Sequence, residues 1–394
     1  MDCIHRRSDI NEVLLGLSAH VSSEFPTCHL HHRSCEPIIR LFLSLQSSHC
    51  RPFFESDNLA GGCLSGVAAM EYRNLGRTGL RVSTLSYGAW VTFGNQLDVK
   101  DAVGILSRCR EAGVNFFDNA EVYADGKAEE IMGAAIKQAG WKRSDLVIST
   151  KIFWGGSGPN DKGLSRKHII EGTKASLKRL DMDYVDLLYC HRPDPNTPIE
   201  ETVRAMNWVI DHGYAFYWGT SEWSGQQITE AWEIANRLDM VGPAMEQPEY
   251  NMFSRNKVES EYAPLYEKYG LGLTTWSPLA SGVLTGKYSI DNIPEGSRMA
   301  LANYKGLKEK SLVEATLKKV EGLKAIAKEL DVPLAQMALA WVAKNPHVSS
   351  VITGATKEHQ VVENMKALEV IPKLTPEVME KIEQVVQSRP VAHK

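Results

Sequence analysis

Four side chains near the middle of the chain have types and an order suited to moving a proton: Asp118, Tyr123, Lys151 and His191. Each lies where a polar or ionisable residue interrupts, or closely follows, a short apolar run. A phenol with a pKa near 10 is a sluggish acid–base group at pH 7. A neighbouring ammonium favours the phenolate and lowers that pKa by about 1–3, and a lowering of two is worth roughly 2.7 kcal/mol. On this reading Asp118 holds and partly neutralises Lys151, Lys151 acidifies Tyr123, and His191 orients a substrate oxygen. The four together can protonate a carbonyl oxygen as a hydride reaches its carbon.

Such a device needs a scaffold that brings distant residues to one place. From Met70 onward, short runs rich in β-branched residues alternate with amphipathic stretches. The runs are Thr84–Trp90, Asn115–Ala120, Leu146–Ile152, Val185–Arg192, Ala215–Ser221, Pro243–Gln247, Leu271–Pro278 and Val348–Gly354. Helical patterns between them include Lys100–Glu111, Glu129–Ala139, Ser165–Leu180, Pro198–His212, Gln226–Leu238 and Lys257–Lys268. Strand and helix alternating about eight times predict an α/β protein with a parallel sheet. A doubly wound dinucleotide fold would carry G-x-G-x-x-G at its first strand–helix turn, and the chain has no such match. Eight units in this length instead predict a (β/α)8 TIM barrel, whose chemistry sits at the carboxyl ends of the strands. The four side chains fall at three successive strand ends.

Local signals refine the picture. Thr197-Pro198-Ile199-Glu200 reads as a capped helix start with a capping box, and Thr375-Pro376-Glu377 opens the last helix the same way. Residues Leu279–Ser311, with Gly282, Gly286, Pro294 and Gly296, read as a long loop over the catalytic face, and loops of that length are usually functional. Two consecutive helices, Leu312–Leu330 and Leu334–Ala343, are expected after it.

Composition sets the outer limits. Hydrophobic residues at 43% and charged residues at 23% are ordinary globular values. No run approaches the length of a membrane span. A net charge of −4 gives no footprint for nucleic acid or anionic lipid. The chain is uneven at Met70: residues 1–69 hold five of the seven cysteines and no Lys or Trp. Only Cys109 and Cys190 follow, which suits a reducing cytosol. The leading segment fits neither a secretory signal nor a transit peptide. Its Cys28–Cys35 stretch lacks paired zinc-ligand spacings, so no metal is expected. Residues 1–69 are read as a disordered extension and residues 70–394 as the barrel.

Three runs carry a family resemblance: Asp118-Asn119-Ala120-Glu121-Val122-Tyr123, Ser149-Thr150-Lys151 and Leu188-Tyr189-Cys190-His191-Arg192-Pro193-Asp194. They resemble the aldo-keto reductase superfamily. Within it, Gly88-Ala89-Trp90-Val91-Thr92-Phe93-Gly94, Tyr217-Trp218-Gly219-Thr220-Ser221 and Thr275-Trp276-Ser277-Pro278-Leu279-Ala280 resemble the beta subunits of voltage-gated potassium channels, most of all the plant type.

The resemblance implies NADP(H) held in an extended groove. It assigns Ser221 and Gln247 to the nicotinamide amide and Trp276 to stacking on that ring. It assigns Ser277, Pro278, Leu279, Ala280, Lys287 and Arg298 to the pyrophosphate and adenosine side, and Gly354, Thr356, Gln360, Glu363 and Asn364 to the ribose 2′-phosphate and adenine. Trp90, Gln96 and Asp118 complete the set. A helix N-terminus after Gly354 favours phosphate on independent grounds. It further implies a cytoplasmic homotetramer, peripheral to the membrane, that binds potassium channel alpha subunits and accepts a small carbonyl substrate. The alternative is a soluble NADPH-dependent reductase with no channel role. Animal members usually carry Asn at the position of His191 and Arg at that of Glu222, so the full tetrad stands here while one cofactor contact is altered.

Overall fold

A computed structural model describes residues 68–301 and 304–391. The expectations for the leading segment therefore lie outside the described residues, apart from Ala68 and Ala69. Eight strands close into an all-parallel barrel: β3 (Leu85–Gly88), β4 (Phe116–Asp118), β5 (Val147–Ile152), β6 (Val185–Cys190), β7 (Ala215–Thr220), β8 (Met245–Glu246), β9 (Gly272–Thr275) and β10 (Val348–Thr353). Each falls within one of the eight expected runs. Neighbours follow chain order, and β10 closes the ring between β9 and β3.

Alternation along the strands sorts the side chains. Phe116, Val147, Leu187, Tyr189, Met245 and Ile352 form the inner cluster of the barrel. Their neighbours Phe117, Ile148, Leu188, Cys190 and Val351 pack outward with the helices. The inner rows continue upward as Asp118, Lys151, His191 and Gln247, so one rule of spacing delivers distant residues to one mouth.

The other end is plugged by an antiparallel hairpin, β1 (Tyr72–Asn74) and β2 (Arg81–Ser83), which the apolar pattern does not announce. Leu75 and Val82 from this hairpin join the inner cluster. Its approach is close enough that a Cβ on Gly272 would lie 2.3 Å from the Gly76 backbone nitrogen. Glycine is required there by space.

Four helix starts among the described residues carry a side-chain cap, Asp98 providing one of them. Ser165 Oγ accepts from His168 N, Ser224 and Gln227 form a reciprocal capping box, and Thr375 Oγ1 accepts from Val378 N ahead of Pro376. Thr197 departs from expectation: its hydroxyl donates to Asp194 Oδ2 at 2.7 Å, and the helix Ile199–Asp211 begins without a side-chain cap. Pro198 occupies the N-cap position itself, which leaves Thr197 one residue too early to cap the helix. The expected helix Lys257–Lys268 is two pieces, a π-turn Lys257–Glu261 and an α-helix Ala263–Tyr269. Pro264 has no N–H to continue the first piece. The expected loop Leu279–Ser311 also holds 3-10 turns at Ala280–Thr285 and Arg298–Ala300 and a helix at Lys305–Ser311. Helices Glu314–Glu329 and Leu334–Ala343 follow as expected. No described helix is long and apolar enough to cross a membrane.

Candidate active site

Asp118 ends β4 and Lys151 lies on β5, both buried. The Lys151 ammonium donates to Asp118 Oδ2 at 2.6 Å, to the Asn119 carbonyl at 2.8 Å and to the Tyr123 hydroxyl at 3.1 Å. Its three protons therefore have three acceptors. An ammonium cannot accept, so the Tyr123 oxygen accepts this hydrogen bond from Lys151 and its own O–H is free to point elsewhere. The Asp118 Oδ1 atom accepts from Ser149 Oγ at 2.8 Å and from Gln247 Nε2 at 3.1 Å, which fixes the carboxylate on both edges. His191 follows β6, with its ring centre 5.8 Å from that of Tyr123. Its Nδ1 is buried and has no partner among the described residues.

The electrostatics differ from the expectation that Lys151 lowers the Tyr123 pKa. Burial raises it well above the ordinary phenol value, Asp118 adds to the rise, and Arg192 opposes it. Lys151 is spent largely on Asp118, and removing a phenolate from water costs more than the residual attraction returns. Burial likewise lowers Lys151, with Asp118 opposing. His191 is lowered well below the usual imidazole value by burial, then by the charges of Lys151 and Arg192. The site thus keeps the phenol protonated beside a neutral imidazole, so the proton is in place, while its release must be favoured by the Lys151 ammonium as charge develops on the oxygen.

The residues expected to hold a dinucleotide spread from this point along the carboxyl face. Ser221 is buried, with its hydroxyl donating to the Gln247 carbonyl at 2.9 Å. The Gln247 amide is oriented by Asp118 and by Thr274 Oγ1 at 3.3 Å. Trp276 meets Trp90 edge-on, with ring centres 5.9 Å apart, and its indole N–H donates to Glu222 Oε1 at 3.0 Å. The Arg298 guanidinium lies 5.2 Å from the Trp90 ring centre. Trp90, Trp276 and Arg298 are thereby brought together although Arg298 comes from the long loop.

Ser277 Oγ accepts from the Ser281 N–H at 3.1 Å, closing the turn Ser277-Pro278-Leu279-Ala280. At the next strand end, Gln360 Oε1 accepts from the Thr356 N–H at 2.9 Å, while Asn364 Nδ2 donates to the Gly354 carbonyl at 3.3 Å. Two members stand apart. The Gln96 amide donates to its own loop at the Val91 carbonyl, and Glu363 is an exposed residue on the helix Glu358–Met365. Lys287 is exposed, with its ammonium over the Tyr288 ring.

The donor set fits a phosphate-bearing dinucleotide. Neither Lys287 nor Arg298 has a carboxylate within 4.0 Å among the described residues. On the same loop the buried Tyr288 hydroxyl and Ser297 Oγ lack any partner among those residues. Buried polar groups are normally satisfied, so these wait for a ligand or water. Gly354 is exposed, with open space where a side chain would project.

Backbone strain concentrates on the same face. Val91, Ala124, Asp125, Glu222, Ser277, Ala280 and Ser281 have positive φ, and all follow the carboxyl ends of barrel strands. Val91 at φ 68° is a β-branched residue in a region that costs L side chains free energy. Strained residues cluster where a fold holds a ligand or reacting group in place.

Several contributors escape a reading of the tetrad alone. Ser149 sits two residues before Lys151, so period-two alternation puts it on the same inner face. Thr274 stands in the same relation to Trp276. Trp154 has its ring centre 5.0 Å from that of His191. Glu222 binds Trp276, the Glu249 N–H and Lys257 at once, and only the tertiary fold reveals that.

Comparison with known proteins agrees with this geometry. The Aldo/keto reductase family model matches residues 84–387. A protein of Oryza sativa subsp. japonica described as a probable voltage-gated potassium channel subunit beta is 76% identical over 321 residues, covering 82% of this chain and 98% of the relative. A protein of Arabidopsis thaliana with the same description is 74% identical over the same length, with the same coverage of both.

Proposed function

This chain belongs to the aldo/keto reductase family, and on that premise we propose that it reduces aldehydes and ketones with NADPH and acts as a β subunit of a voltage-gated potassium channel. The observation that carries the first part is the threefold donation of Lys151, which leaves the Tyr123 proton free. When bound, the reduced nicotinamide supplies a hydride. The chain supplies the proton: the Tyr123 O–H donates to the substrate carbonyl oxygen, and neutral His191 orients that oxygen from the other side. As the proton leaves, the nascent phenolate stands 3.1 Å from the Lys151 ammonium, whose charge stabilises it at that moment. Asp118 keeps Lys151 in place throughout.

The bonded Ser149, Gln247 and Thr274 hydrogen-bond network keeps Asp118 and the amide of Gln247 in fixed orientation, so little reorganisation is needed. Ser221, Gln247 and Trp276 would hold the nicotinamide end, and Lys287 and Arg298 the phosphates. The test is a fluorescence titration of NADPH against NADH: tighter binding of NADPH supports the assignment, and equal binding removes the 2′-phosphate site.

The channel role rests on the descriptions of the two plant relatives, together with their near-complete coverage. A homotetramer on the cytoplasmic face of the channel belongs to the same reading. Capture of a plant potassium channel's cytoplasmic domain by the purified chain tests it. Failure to capture would leave a reductase without a channel partner.

A further inference from the structure

We infer that Arg192 forms a subsite for a carboxylate on the carbonyl substrate, so that aldehydes and ketones carrying a carboxylate are the preferred substrate class; the inference rests on the reductase reading above. Arg192 follows His191 directly and is half-buried. Among the described residues only one of its nitrogens is occupied: Nη1 donates to the His191 carbonyl at 2.5 Å and to Ser221 Oγ at 3.2 Å. Its Cζ lies 5.5 Å from the centre of the Trp154 ring, which in turn packs against His191.

What Arg192 lacks is a counter-ion. Half-buried Arg143, Arg179 and Arg255 each pair with a carboxylate, Asp186 at 2.7 Å, Glu129 at 2.6 Å and Glu259 at 2.7 Å, while Arg73 and Arg110 donate to backbone carbonyls and Arg298 stands over Trp90 at the expected cofactor groove. Lys151 has Asp118 at 2.6 Å. Arg192 has no carboxylate within 4.0 Å among the described residues. Asp194, the nearest acid in sequence, is committed to the Leu164 and Asn196 N–H groups and the Thr197 hydroxyl. The fold thus holds this cation partly out of water on neutral acceptors alone, beside its reacting groups.

The unoccupied Nε and Nη2 form the edge of a planar fork whose geometry matches a carboxylate. The charge also reaches the reaction centre, since it helps lower His191 and Lys151 and counters the rise at Tyr123. Trp154 supplies a flat wall between His191 and Arg192, against which the body of such a substrate can lie.

The test compares 4-carboxybenzaldehyde with its neutral analogue methyl 4-formylbenzoate, using the full chain with NADPH. The wild type should turn over the acid with a KM about ten- to a hundred-fold below that of the ester, as expected for a hydrogen bond to a charged group. Arg192→Met should lower kcat/KM for the acid at least ten-fold more than for the ester, with Arg192→Lys between. Calorimetric titration with 4-(hydroxymethyl)benzoate gives a second readout: binding by the wild type should be lost in Arg192→Met. Equal KM values in the wild type, or equal losses on both aldehydes in Arg192→Met, overturn the subsite. If the wild type reduces neither aldehyde, the reductase reading falls, and calorimetry alone then decides whether Arg192 binds the carboxylate.

Discussion

Glu246 offers a quantitative test of how burial governs charge around the site. It ends β8 on the outward face, wholly buried, next to Gln247. Burial pushes its carboxyl up to about 8; the Thr220 hydroxyl opposes the rise and the neighbouring Glu222 adds to it. Its hydrogen bonds come from hydroxyls: Tyr262, whose O–H is directed mainly to the Trp223 carbonyl at 2.5 Å, reaches Glu246 Oε1 at 3.3 Å, and Thr220 donates to Oε2.

An acid whose folded pKa is raised from 4.5 to about 8 binds more protons folded than unfolded between those values. Its contribution to stability is complete below about pH 4.5 and is lost as pH rises through about 8. Between pH 5.5 and 8.5 the loss amounts to about 3 kcal/mol. Glu246→Gln, which cannot ionise, should be free of it. Urea denaturation of wild type and variant across that range should therefore show the variant gaining about 3 kcal/mol relative to wild type as pH rises. A difference constant to within about 0.5 kcal/mol would show that Glu246 is charged at neutral pH and would refute the reasoning.

Three further outcomes follow from the geometry. Lys151→Met leaves Asp118 buried without its cation and should destabilise the fold by about 3–5 kcal/mol in urea denaturation, besides abolishing turnover. Because His191 is held well below the usual imidazole value, kcat/KM should show no ionisation near pH 6.5, and a break there would mean a charged imidazole. Thr375→Ala removes the cap that accepts the Val378 N–H, so it should cost about 1 kcal/mol in thermal denaturation with carbonyl reduction intact.

The barrel was legible because its strands are buried on both faces and read as continuous apolar runs. The tetrad was legible because ionisable side chains break those runs at their carboxyl ends. The hairpin β1–β2 was not, since its strands are three residues long and only Leu75 and Val82 of its neighbourhood enter the core. Helix Lys305–Ser311 was hidden for a related reason: it buries none of its residues, so no apolar stripe marks it. The sign of the Tyr123 shift could not be read from residue types. Lys151 is its neighbour, as the order suggested, yet the depth of burial and the grip of Asp118 decide the outcome. Arg192 lay inside a recognised run, but only the fold shows that it stands beside His191 and Trp154 with a single nitrogen engaged among the described residues.

The central claim is that Tyr123, released by Lys151 to donate its own proton, performs the chemistry. The most direct measurement is NADPH oxidation driven by a panel of aldehydes, with NADPH affinity determined in parallel for wild type and Tyr123→Phe. The variant should bind NADPH within about two-fold of wild type while carbonyl-dependent oxidation falls by about 10²–10⁴-fold. Undiminished oxidation by Tyr123→Phe would contradict the claim.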